Sequence, residues 1–197
     1  MIQTLDRSGY FGASDCKYVM ANNHDTASWK RWWDVKLGNM EADQFRTKEI
    51  EAGNKYEHPI LLAINEDMFM DGQIIHDKYS IRVNYDGFFN GTIYEIKTHH
   101  AENEFEISTA YWQQCQVEMF VYKEKYKQWF LPPFESLYLV SYGLNPDEYD
   151  VPWDRVEVDP NRMKYHPVKF DKAWIKGEYL PKVRELARAL KKGKFPG

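Results

Sequence analysis

Residues 81–98 read IRVNYDGFFNGTIYEIKT. Two runs of strand-forming residues, Ile81 to Phe89 and Thr92 to Thr98, flank Asn90-Gly91. A type I′ turn needs positive φ at both central residues, so Asn-Gly predicts a two-residue β-hairpin. Counting outward, Phe89 faces Thr92, Phe88 faces Ile93, Gly87 faces Tyr94 and Asp86 faces Glu95. Two carboxylates are thereby expected side by side, with Cβ atoms about 5 Å apart. Like charges in that position repel, and a chain keeps them when something positive lies between them. Lys97, two residues past Glu95, points to the same face. A divalent cation would supply the remaining charge, and Mg²⁺ suits hard oxygen ligands with few protein contacts. Carboxylates, metal and water together suit hydrolysis of a phosphodiester. The alternative is a solvated strand face carrying an incidental Glu/Lys pair, so the other parts of the chain must decide.

Working outward, Ser14 and Asp15 are N-cap candidates for a helix reaching about Ala21. A helix over Ala27–Leu37 ends at Gly38. Glu41 to about Met70 is helical in composition, with Gly53 and Pro59 predicting two helices or a bent one. A helix is expected from Ile107 to about Lys123, a strand over Leu137–Tyr142, and another over Arg155–Val158. Lys169–Lys192 predicts a long closing helix that Pro181 bends or splits. Helices, hairpin, helix, strands and helix imply an α/β fold with a mixed central sheet flanked by helices, in one domain over residues 1–197.

Composition narrows the function classes. With 197 residues, 43% of them hydrophobic, the chain can bury a core. Its apolar runs are too short for a membrane span, and MIQTLDRSGY lacks the pattern of a secretory signal. The expected location is the cytoplasm. Cys16 and Cys115 lack zinc-site spacing and are expected to be reduced. His99-His100 has no third ligand at metal spacing, which argues against zinc. Trp29, Trp32 and Trp33, at helical spacing, are expected in the core rather than stacked on bases. The net charge of −4 is unhelpful for a nucleic-acid binder. It hides basic clusters at Lys30, Arg31 and Lys36 and at Lys182, Arg184, Arg188, Lys191, Lys192 and Lys194, the latter read as a solvated helix face.

Four blocks in order resemble the lambda-type phage exonucleases, or YqaJ-like viral recombinases, within the PD-(D/E)XK nucleases. They are Arg7 with Gly12-Ala13-Ser14-Asp15; Gly53-Asn54-Lys55-Tyr56-Glu57; Asp86-Gly87 with Tyr94-Glu95-Ile96-Lys97; and Ala110-Tyr111-Trp112-Gln113-Gln114-Cys115-Gln116 with Met119-Phe120-Val121. The resemblance implies a restriction-endonuclease-like fold. It implies metal ligation by Asp86, Glu95, Glu57 and the Ile96 carbonyl, with Lys97 as the catalytic lysine. Gln114, favoured over its neighbouring glutamines by its spacing from Tyr111, would hold the scissile phosphate or the attacking water. Arg7 and Ser14 would contact the 5′ phosphate, Ser14 at a helix start whose free N–H groups suit an anion. The implied activity is 5′→3′ digestion of one strand of linear duplex DNA, with two Mg²⁺ ions (or Mn²⁺), leaving a 3′ single strand for recombination. A ring-shaped homotrimer, double-stranded DNA ends and a single-strand annealing protein are the implied assembly and partners, in the cytoplasm of a bacterial host if the gene is phage-borne. Two other readings stay open: an endonuclease of the same fold, and a non-catalytic DNA-binding or inhibitor protein on this scaffold.

Overall fold

A computed structural model describes residues 7–42 and 47–196. In chain order it contains α1 (Cys16–Val19), α2 (Ala27–Leu37), α3 (Lys48–Ile64), β1 (Phe69–His76), β2 (Ile81–Phe89), β3 (Thr92–His100), α4 (Thr109–Lys125), β4 (Ser136–Leu144), β5 (Met163–Pro167), α5 (Lys172–Trp174) and α6 (Leu180–Lys191). The five strands form one sheet in the order β1-β2-β3-β4-β5. Only the β3–β4 pairing is parallel. It requires a crossover, and α4 is that crossover. The expected mixed sheet with flanking helices is therefore the observed fold.

Local chemistry sets the elements. Thr26, Thr47 and Ser108 accept hydrogen bonds from Trp29, Ile50 and Tyr111 N–H, capping α2, α3 and α4. Gly38 ends α2 at φ 76°. The hairpin turn is as expected, with Asn90 at φ 47° and Gly91 at φ 80°. A Cβ on Gly91 would also strike the Pro133 carbonyl. One face of the sheet packs with α4, α6 and the Trp29/Trp32/Trp33 cluster, which is core as expected. The other face buries Ile96, Val140 and Tyr142 against Tyr56, Ile60 and Leu61 of α3. Cys16 and Cys115 are buried free thiols, and burial pushes both pKa values up. Among the described residues no helix is long and apolar enough to cross a membrane.

Several expectations need correction. The helical reading of Glu41–Met70 fails at its end: Phe69 and Met70 belong to β1, where Asp71-Gly72 breaks the alternation a strand shows. Residues 43–46 of that stretch lie outside the described residues. Across Gly53 and Pro59 one continuous helix forms, so of the two readings the split into two helices fails. A Cβ on Gly53 would stand 3.2 Å from Thr98 Oγ1, so glycine lets α3 approach β3 closely. Arg155–Val158 is not a strand: Trp153–Arg155 is a 3-10 turn, and the fifth strand forms later, at Met163–Pro167. The closing helix is divided, as Pro181 requires. A π-helical turn over Ile175–Tyr179 runs directly into α6, and Pro181, in the first turn of α6, has no N–H to give back to it. Ser14 does not cap a helix; it lies inside a 3-10 turn, Ala13–Asp15, and only four α-helical residues follow.

Candidate active site

The site forms where the sheet opens. The β2–β3 ladder runs Phe89–Thr92, Phe88–Ile93 and Gly87–Tyr94 and stops there, one step before Asp86 would meet Glu95. The expected register is correct for those three pairs, but the carboxylates do not close a fourth. Instead Asp86 Oδ2 accepts the Ile96 N–H at 2.8 Å. The N–H and C=O of one strand residue address the same neighbour, so the Ile96 carbonyl also faces this fork. On the other edge of β2, Met70–Gly87 and Gly72–Tyr85 pair while Asp71, opposite Asp86 in register, does not. Asp71 has φ 57°, a left-handed conformation that aspartate tolerates better than most residues. Asp71, Asp86 and Glu95 thus share one row across three strands.

Two helices complete the fork. Glu57 comes from α3. Beside it, His58 Nε2 lies 3.0 Å from Asp71 Oδ2 and 4.0 Å from Glu57 Oε1. The three side chains bring one ligand atom each within 4.8 Å of one another. From α4, Gln114 Nε2 donates to Glu95 Oε1 at 2.6 Å and to Glu118 Oε1 at 2.9 Å. Lys97 Nζ donates to the same Glu95 Oε1 at 2.6 Å and lies 5.1 Å from the Tyr111 ring centroid. Glu95 and Glu118 are 2% and 0% exposed, and each keeps one buried carboxylate oxygen, Oε2, without a hydrogen-bond donor. Buried polar atoms are normally satisfied.

Electrostatics follow from that crowding. Burial first, then Glu95, pushes the Glu57 carboxyl up to about 7. Burial, Glu95 and Glu57 hold Asp86 well above the ordinary carboxylate range, and burial and Glu95 do the same to Glu118. Burial works against the Lys97 charge, but Glu95 and Asp86 outweigh it and raise its pKa. Lys97 bonds to Glu95 and acts on Asp86, Glu57 and Glu118, and its one charge does not match four carboxyl groups. Carboxylate and carbonyl oxygens are the donor set of hard divalent cations, and the two donor-less oxygens fit such an ion. Asp86, Glu95, Glu57 and Ile96 would hold it.

Of the sequence-predicted residues, Asp86, Glu95, Ile96, Lys97, Glu57 and Gln114 converge here. Gln114 is also the glutamine that Tyr111 spacing singles out, while Gln116 is spent on Lys169 O and Asp171 N–H. Arg7 and Ser14 are exposed and bond to none of this group. Ser14 belongs to the turn leading into Cys16, whose thiol touches Gln113 O on α4. Arg7 O accepts from Lys36 Nζ, itself paired with Asp15. Sequence reasoning missed Glu118, Asp71 and His58. Glu118 was findable, one helical turn beyond Gln114.

Residues 4–124 match the model of the YqaJ-like viral recombinase domain family. No curated protein matches the sequence. Among solved structures, an alkaline exonuclease (LHK-Exo) from Laribacter hongkongensis is similar, with 18% identity, a TM-score of 0.63, and coverage of 93% of this chain and 89% of that one. Its complex with dAMP superposes with a TM-score of 0.62 at the same identity and coverage. A phage-related exonuclease from Haemophilus somnus 129PT shares 12% identity with a TM-score of 0.55, covering 93% of this chain and 92% of that one. At such identities the likeness is one of fold.

Proposed function

Because the chain belongs to the YqaJ-like viral recombinase family, we propose that it is a Mg²⁺-dependent exonuclease that digests one strand of linear duplex DNA from its 5′ end. The observation that carries this reading is the fork itself. Glu95 gives one oxygen to Lys97 and Gln114, and its other is buried without a donor in a group that also holds Asp86.

A divalent ion in the fork, with two as the fuller complement and Mn²⁺ as the alternative metal, would lower the pKa of a water and offset charge on phosphoryl oxygens. The chain's own residues do the rest. Lys97 keeps its proton, because Glu95 and Asp86 raise its pKa; it acts as a cation and donor toward phosphoryl oxygens, not as a base. Gln114 spends its nitrogen on Glu95 and Glu118, which leaves its carbonyl oxygen to orient a water or a substrate hydroxyl. Glu57 completes the acidic wall from α3. Arg7 and Ser14 are assigned to the 5′ phosphate on the family resemblance. A neighbour of this fold takes up dAMP, which fits a site that releases mononucleotides. The reading extends to cytoplasmic action as a ring-shaped homotrimer at double-stranded DNA ends, handing a 3′ strand to a single-strand annealing protein.

The test is digestion of linear duplex DNA, with and without a 5′ phosphate, against a closed circular plasmid, in Mg²⁺. Linear DNA should shorten from its 5′ ends and the circle survive. Rapid linearisation of the circle would make the protein an endonuclease. No digestion at any terminus would leave a DNA-binding or inhibitory role.

A further inference from the structure

The basic side chains of the C-terminal end divide into two kinds. Lys182 is used internally, donating to Met20 O and Asn22 Oδ1. Arg184, Arg188 and Lys191 instead share one stripe of α6, at intervals of four and three residues, while Val183, Leu186 and Ala187 enter the core. That stripe meets Lys78, from the 3-10 turn Asp77–Tyr79 before β2, across a surface cavity of about 280 Å³ lined by Lys78, Tyr79, Arg184, Ala187, Arg188 and Lys191. Tyr79 organises it. Lys78 Nζ and Arg184 Cζ each stand 5.4 Å from its ring centroid, and Arg184 donates to its hydroxyl. Lys191 Nζ donates to Asp77 O.

No carboxylate among the described residues lines this cavity. Among the described residues, none of the four cations is in an ion pair, and Asp77 and Glu185, the acids nearest in sequence, pair with none of them. Like charges one helical turn apart cost a few tenths of a kcal/mol. Here four converge from two segments with nothing negative between them, in a chain whose net charge is −4. Guanidinium groups flanking a recess match phosphate oxygens bidentately.

We propose that this cavity is a second nucleic-acid contact, gripping the phosphodiester backbone away from the cleavage site. The inference rests on the proposed DNA substrate. Tyr79 ends the turn that leads into β2, and Asp86 lies five residues along that strand from Ile81, or about 17 Å of strand. That corresponds to about five base steps of duplex, so the backbone held here is either the uncut duplex arm or the strand left behind.

The experiment measures binding in EDTA, where no cutting occurs, to a long duplex and to a single strand of equal length, across a salt series. The proteins are wild type and Arg184→Gln/Arg188→Gln. Losing two phosphate contacts should flatten the slope of log K against log [salt] by about 1.8 for duplex, or about 1.4 for single strand. Whichever probe responds identifies the strand held. Thermal melting checks folding, and Lys78→Gln/Arg188→Gln replaces the first pair if Arg184 proves necessary to the fold. Unchanged slopes on both probes overturn the proposal, as does loss of binding confined to polyglutamate, run as a third probe, which would assign the cavity to an acidic protein. Wild type that digests DNA while the slopes stay unchanged refutes this contact alone. Variant-sensitive binding without digestion refutes the nuclease reading and keeps the contact.

Discussion

The Ile96 amide donates to Asp86 Oδ2 across 2.8 Å, at the point where the rungs between β2 and β3 end. The carboxylate thus substitutes for a backbone carbonyl and props the fork open. An asparagine could accept the same bond through its amide oxygen. Asp86→Asn therefore tests charge separately from geometry. Burial, Glu95 and Glu57 all disfavour the ionised form, so removing the charge should raise the melting temperature in EDTA by a few degrees. Digestion of duplex DNA in Mg²⁺ should fall by about 10²–10³ or more. A variant that loses both stability and activity would count against the fork as a cation site.

Lys97 carries the opposite expectation. Among the described residues it is the one cation bonded to Glu95, whose side chain is 3% exposed. Lys97→Ala leaves that carboxylate buried and uncompensated, a change that costs about 3 kcal/mol when a buried partner is lost. Denaturant melts in EDTA should show that loss, and exonuclease activity should vanish while duplex binding persists. Adding Glu95→Gln should restore stability without restoring activity. Undiminished cleavage by Lys97→Ala would sink the site assignment.

The hairpin was legible in the sequence because Asn90-Gly91 leaves the backbone few choices, and with it came the Asp86–Glu95 proximity and the face of Lys97. What the turn could not reveal is that the ladder stops after Gly87–Tyr94, since that depends on Ile96 finding a better acceptor in a side chain. Asp71 was hidden for a related reason: a left-handed residue within β1 spoils the alternation that marks a strand. Pro59 left open a split of α3 that does not occur. One missing N–H in α3 is tolerated where Tyr56, Ile60 and Leu61 are buried against the sheet, because tertiary packing outweighs propensity. β5 pairs only with β4 and carries mostly exposed residues, so its sequence bore little hydrophobic pattern.

Neighbouring glutamines on α4 separate function from structure. Gln114 addresses Glu95 and Glu118, whereas the fully buried Gln116 ties α4 to Lys169 O and Asp171 N–H. Gln114→Leu should therefore cut kcat by about tenfold or more even where the variant is fully folded, on top of a stability loss of about 1–3 kcal/mol as the buried Glu95 and Glu118 lose a donor. Gln116→Leu should lower stability by about 1–3 kcal/mol, since buried backbone groups lose their partners. Its kcat at a temperature where it is folded should stay near wild type. Equal kinetic defects in the two variants would contradict this division.

The acidic wall also makes stability depend on pH and metal in a definite direction. Glu57 titrates at about 7 in the folded protein, against about 4.3 when unfolded. A raised carboxyl pKa means the unfolded chain releases its proton first. The stability tied to that proton is complete below about pH 4.3 and is lost as pH rises through about 7. Asp86 and Glu118 shift the same way. His76 and His166, whose pKa values burial lowers, act oppositely, costing stability as pH falls below the ordinary imidazole range. The informative quantity is therefore the difference between wild type and Glu57→Gln, measured by thermal melts in EDTA. The variant should gain on wild type as pH climbs from about 5 to 8. Mg²⁺ competes with protons for the same oxygens, so the melting temperature it adds to wild type should be larger at about pH 8 than at about pH 5.5, and smaller in Glu57→Gln at both. A Mg²⁺ increment independent of pH and of Glu57 would place the ion elsewhere.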